Sequence, residues 1–155
     1  MELIKKFTNE QYLSALSSWD WLPLSGKSPF LANAFGDLFL EAKDGIYFLD
    51  KVDGTLEKIS INKPELQKLL NTADGQERFL WLTVVKAVDS TGLIPGINEV
   101  YDFIINPVLG GEIDLPNINT TDFEVATNIA GQIHSQIKDL PEGTPINNIT
   151  IDDLE

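Results

Sequence analysis

Thr120 to Ile146, TTDFEVATNIAGQIHSQIKDLPEGTPI, is the stretch in which start signals, periodicity and stop signals agree. Thr121 with Glu124 three residues on has the form of a capping box, so the spacing predicts a helix from Asp122. Phe123, Ala126, Ala130, Ile133 and Ile137 recur at intervals of three and four, and Ile129 widens the stripe. Leu140-Pro141, followed by Gly143 and Pro145, cannot continue a helix, which is expected to end near Lys138. A long helix with one narrow apolar face requires a broad apolar partner, and the strands upstream are its natural supplier.

Three strands carry the clearest turn chemistry. Phe35 to Ala42 alternates around Leu38 and Leu40, Asp44-Gly45 turns, Ile46 to Lys51 is apolar and aromatic, and Asp53-Gly54 turns again before Thr55 to Ile61. Asp-Gly between such runs predicts hairpins, because glycine accepts the positive φ these turns need. Before them, Asn9 to Ser18 reads as a short helix, Trp19 to Leu24 as an extended cover or edge segment, and Gly26 to Pro29 as a loop. After them come a helix opened by Asn62 and Pro64, and a largely buried helix from Gln76 to Asp89. A fourth strand is expected over Glu99 to Asn106, and Glu112 to Asn119 reads as irregular, with Pro116 arguing against a central strand. The order predicts one α+β domain: an antiparallel sheet, a meander plus the later strand, with helices mainly on one face. Within it, 1–18 form an N-terminal helical segment, 19–146 the core, and 147–155 an acidic tail.

At 155 residues the chain is long enough to bury a sizeable core, and with no cysteine it has no disulfide, thiolate metal site or cysteine nucleophile. No apolar run approaches membrane-spanning length and no signal-peptide pattern opens the chain, so a soluble cytoplasmic protein is expected. The formal net charge is −13. Such a field repels a phosphate backbone, arguing against direct nucleic-acid binding, and it attracts a basic protein; solubility alone is the other reading.

Few residues fit a catalytic constellation. His134 is the single histidine, which excludes multi-histidine metal sites. At the border of the apolar stripe it reads as a structural, hydrogen-bonded residue, or alternatively as a general base oriented by Gln132 or a carboxylate. Gly110-Gly111 reads as a turn rather than a phosphate loop, since no P-loop lysine accompanies it. Asp50-Lys51-Val52-Asp53-Gly54 lacks the ligand spacing of a calcium loop, and no metal or cofactor is expected. The carboxylates Asp37, Glu41, Asp50, Asp53 and Glu57 outnumber the lysines between them; they form either a solvated strand face or a partner-binding face. Trp19, Trp21 and Trp81 read as core or cover residues.

Several motifs in order carry a resemblance: Ala34-Phe35-Gly36-Asp37-Leu38-Phe39, Leu49-Asp50 before Gly54, Tyr101-Asp102-Phe103 with Pro107 and Leu109-Gly110-Gly111, and Gly131-Gln132-Ile133-His134 with Asp139-Leu140-Pro141-Glu142-Gly143. Together, from about Trp19 to Ile146, they resemble the C-terminal domain of type VI secretion immunity proteins, relatives of the GAD-like proteins. The resemblance implies a cytoplasmic bacterial protein that neutralises a cognate toxin by binding it, without chemistry of its own. In some members that toxin attacks nucleic acid, and it would present a basic face. Longer relatives carry an N-terminal GAD-like region, which the residues before Trp19 are too few to hold. The competing expectations are a small-molecule-binding domain or hydrolase centred on His134, Gln132 and Gly110-Gly111, and an accessory interaction protein with no toxin.

Overall fold

The computed structural model describes residues 1–153; the last two residues of the expected acidic tail, Leu154 and Glu155, lie outside the described residues. Five strands, β1 (Ile4–Lys5), β2 (Ser28–Asn33), β3 (Leu38–Ala42), β4 (Gly45–Asp50) and β5 (Thr55–Ser60), form an antiparallel meander in sequential order. The two Asp-Gly hairpins pair Ala42 with Gly45 and Asp50 with Thr55. The strand register puts Leu38, Leu40, Leu49 and Leu56 on one face, and Phe39, Ile46 and Phe48 on the other. Because strands β3 and β4 are apolar on both faces, both must be covered.

The helices are α1 (Asn9–Leu16), α2 (Lys63–Leu70), α3 (Ala73–Leu80), α4 (Leu82–Asp89) and α5 (Phe123–Ile137); four of them cover these faces, while α4 packs its Val85 and Val88 against Phe35, Tyr101 and Ile118. Helices α1 and α5 pack with Trp19 on the leucine face. Helices α2 and α3 bring Leu66, Leu70, Phe79 and Leu80 onto the phenylalanine face. The α+β class and the antiparallel meander are as expected, with the refinement that helices cover two faces.

The later strand takes a different partner. β6 (Glu99–Phe103) pairs with β7 (Ile118–Asp122) in a separate two-stranded ribbon, tied to the main sheet where the Tyr101 N–H donates to the Ala34 carbonyl at 2.8 Å. The segment expected to be irregular thus supplies a strand from Ile118, and Pro116 sits in the 3₁₀ turn just before it. The ribbon runs directly into α5: its last residue, Asp122, pairs opposite Glu99 and caps the helix in place of Thr121, accepting from the Val125 N–H. A capping box does form at α1, between Thr8 and Gln11.

Two further differences bear on the site. Trp19 is fully buried, donating its indole N–H to the Thr127 carbonyl at 2.9 Å, so it belongs to the core and not to a cover. The expected helix over 76–89 breaks at Trp81, whose backbone is left-handed at φ 56°. That conformation is strained for a bulky residue and persists only where the surroundings enforce it.

Candidate functional site

The enforcing contact is Asp37. Its carboxylate accepts the Trp81 indole N–H at 2.9 Å and the Asn33 side-chain amide at 2.8 Å through Oδ2, and the Lys51 backbone N–H at 2.9 Å through Oδ1. Asp37 is 2% exposed, so the residue expected on a partner-binding face is an interior organiser. Asn33 completes the knot by accepting the Phe35 and Asp37 backbone N–H groups, which fixes the turn between β2 and β3.

Above this knot lies a cavity of about 260 Å³, walled by Phe35, Trp81, Phe103, Ile129 and Ile133 and opening beside Ile104 and Ile105. The Phe35 ring lies 4.7 Å from Trp81 and 5.3 Å from Phe103. Lys51 joins the lining although it is 6% exposed. Its ammonium donates to the Phe35 carbonyl at 2.9 Å, and no carboxylate among the described residues forms an ion pair with it. Beside it, Gly36 has a left-handed backbone at φ 83°, which favours glycine, and a Cβ there would crowd Lys51 Nζ at 3.2 Å and Thr127 Oγ1 at 3.4 Å. Thr127 Oγ1 is the one buried side-chain polar atom with no hydrogen-bond partner among the described residues.

The cavity mouth continues into an exposed apolar surface. Ile104, Ile105, Ile113 and Leu115 are 44–61% exposed. Asn117 ties the two segments that carry them, accepting the Ile105 N–H and donating to the carbonyls of Ile105 and Glu112. Gly111 is part of the same closure: a Cβ there would fall 1.8 Å from the Ile105 carbonyl oxygen. Asp102, Glu112 and Asp114 stand among these apolar residues. Residues 99–155 carry eleven acidic side chains and one basic, Lys138, so most of the chain's net negative charge lies in this third.

The other expected residues are dispersed. Glu41 pairs with Lys63 at 3.6 Å and Glu57 with Arg78 at 3.0 Å, each bridging the sheet to the helix packed on it. Asp50 is half-buried and accepts the Val52 and Asp53 N–H groups, and Asp53 is exposed on that turn. Burial, then the nearby Asp37 and Asp53 charges, push the Asp50 carboxyl up to about 6. The strand carboxylates are therefore largely engaged within the fold. His134 is buried against this turn, with Nε2 2.7 Å from the Lys51 carbonyl and a ring so close to Gly54 that a Cβ there would lie 2.5 Å from Nδ1. Burial holds its pKa below the ordinary 6.5.

Gln132 serves another region, pairing with Asp152 of the C-terminal tail. Gly110 ends a 3₁₀ turn at φ 100° and lines a shallow groove with Thr144 and Ile146. His134, Gln132 and Gly110-Gly111 thus do not converge on one pocket.

No protein-family profile matches the chain. A 118-residue stretch, 74% of the chain, is 30% identical to a UDP-N-acetylmuramoylalanine–D-glutamate ligase of Campylobacter jejuni (strain RM1221), and spans 28% of that enzyme's length. Among solved structures, Atu4351 from Agrobacterium tumefaciens is similar, with a TM-score of 0.60 and 15% identity over 84% of this chain and 67% of that one. This second likeness establishes a shared fold.

Residues that sequence reasoning passes over dominate the site: Lys51, Trp81, Ile104, Ile105, Ile113 and Leu115. One indicator exists for the acidic ribbon, namely the uneven division of charge between the two parts of the chain. The cavity leaves no such trace, since its walls come from five separate elements and loops.

Proposed function

We propose that this protein is a cytoplasmic immunity protein, which binds a basic protein toxin and neutralises it by covering the toxin's surface. The observation that carries the reading is the exposed apolar patch of Ile104, Ile105, Ile113 and Leu115, set in the most negatively charged third of the chain. Apolar side chains grouped in this way mark an interaction surface, and surrounding carboxylates speed encounter with a basic partner. The resemblance of the ordered motifs to type VI immunity proteins supplies the identity of the partner class. The contact surface in this reading is the ribbon and its loop, in place of the strand carboxylates, of which Asp37 is buried and Glu41 and Glu57 are paired with Lys63 and Arg78 at the surface.

Co-expression with the toxin encoded beside it tests the reading. Growth is expected to be rescued, and the purified pair to associate with a rate that falls as salt rises. Failure of the two proteins to bind at low ionic strength would sink it. The hydrolase reading centred on His134 has less support, because the residues it requires lie in separate regions and the imidazole is engaged by the Lys51 carbonyl.

A further inference from the structure

We infer that the cavity beside Lys51 takes a neutral phenol ring, presented as a tyrosine flanked by basic residues. The apolar wall of Phe35, Trp81, Phe103, Ile129 and Ile133 suits a flat ring and offers it aromatic contacts. The polar half is Lys51. A buried ammonium has three N–H donors, and only the Phe35 carbonyl accepts one among the described residues. A ligand that brings an oxygen acceptor to that end of the cavity satisfies a donor that is otherwise costly to bury.

Electrostatics select a neutral acceptor. Asp37 is buried at the knot below and Asp102 contributes to the lining, so two carboxylates already stand against the one ammonium of Lys51 there. A carboxylate ligand would add to that excess, whereas a phenol oxygen accepts from the ammonium without it. The phenol's own O–H has an acceptor available in the second lone pair of the Phe35 carbonyl. Basic flanks follow from Asp102 in the lining and from exposed Glu112 and Asp114 on the loop that Asn117 ties to Ile105. That second half rests on the protein-binding reading; the phenol specificity does not.

The test titrates the protein with p-cresol, toluene and p-toluate, following the Trp81 indole N–H resonance, assigned by its loss in Trp81→Phe. p-Cresol is expected to bind about tenfold tighter than toluene, as for a hydrogen bond to a charged donor, and p-toluate weakest. In Lys51→Met the preference over toluene should shrink to less than about twofold. Ile129→Trp, which fills the cavity while leaving Lys51 in place, should abolish p-cresol binding even if Lys51→Met proves unfolded. Equal binding of p-cresol and toluene, tightest binding by p-toluate, or no binding by any of the three overturns the inference. Acetyl-Lys-Tyr-Lys-amide is expected to bind tighter than p-cresol, with the gain lost in salt. A tripeptide no tighter than p-cresol assigns the site to a free phenol and removes the protein-borne half alone.

Discussion

His134 Nε2 lies 2.7 Å from the carbonyl oxygen of Lys51, so one side chain of α5 is bonded to the hairpin turn that also presents Lys51 to the cavity. Because a carbonyl only accepts, Nε2 carries the proton, and burial favours the neutral ring. The folded-state pKa is below the ordinary 6.5, so the unfolded chain binds the proton first as pH falls. The contribution of His134 is therefore complete above about 6.5 and declines below it. Comparing urea unfolding of the native protein and His134→Gln, the native advantage should be largest at pH 7.5 and shrink towards pH 5. A difference constant across that range would refute the assignment.

Asp50 has the opposite sign. Its folded-state pKa is raised from 3.8 to about 6, so its stabilising influence is complete below 3.8 and is lost as pH rises through 6. Asp50→Asn keeps an Oδ1 to accept from Val52 and Asp53 while removing the charge. The variant should gain about 1 kcal/mol at pH 7.5, less than the full shift implies because the group is partly solvated, and the gain should vanish near pH 4. Calorimetry over this range checks it; a pH-independent loss would show that the charge is needed where it is.

Asp37 satisfies three donors from three parts of the chain. Asp37→Ala leaves each without its partner in a buried site and should destabilise by about 3–5 kcal/mol. Asp37→Asn can supply one acceptor oxygen and should be intermediate. Guanidinium unfolding measures both, and a loss below about 1 kcal/mol for the alanine variant would mean that the knot is not what holds Trp81.

These residues show what was legible in the sequence. The Asp-Gly hairpins, the α5 stripe and the structural reading of His134 each rest on chemistry local to a few residues, and each is present in the fold. The break at Trp81 was not legible because residues 76–89 contain no glycine or proline near it; the cause is a hydrogen bond to Asp37, 44 positions away. β7 was hidden for a similar reason, since Ile118–Asp122 becomes a strand only by pairing with β6. Counting carboxylates located the charge, but pairing with Lys63 and Arg78 decided which of them face outward unopposed. The candidate site is accordingly a product of long-range contacts rather than of a contiguous motif.

The C-terminal tail is held by a ladder that follows from two repeats. Residues four apart on a helix rise about 6 Å, close to the ~6.6 Å between alternate residues of an extended chain. Gln136 accordingly exchanges two hydrogen bonds with the backbone of Thr150, and Gln132 two with that of Asp152. These bonds are exposed, so replacing both glutamines with alanine should change global stability by less than about 1 kcal/mol. It should release the tail, raising amide exchange at residues 150 and 152 and opening the segment to limited proteolysis. Unchanged protection there would show that other contacts hold the tail.

The ribbon surface makes separable predictions for affinity and rate. Ile105 is 55% exposed with its backbone fixed by Asn117, so Ile105→Asp should leave folding intact within about 0.5 kcal/mol. In the proposed complex the same change buries a charge in an apolar contact and should weaken binding at least tenfold, mainly through faster dissociation. Glu112→Lys and Asp114→Lys, on exposed positions of the same loop, should instead slow association and flatten its salt dependence. Stopped-flow mixing with the cognate toxin at several ionic strengths distinguishes the two effects. If Ile105→Asp binds as the native protein does while Glu41→Lys or Glu57→Lys abolishes association, the partner uses the strand face after all, and the ion pairs to Lys63 and Arg78 must open on binding.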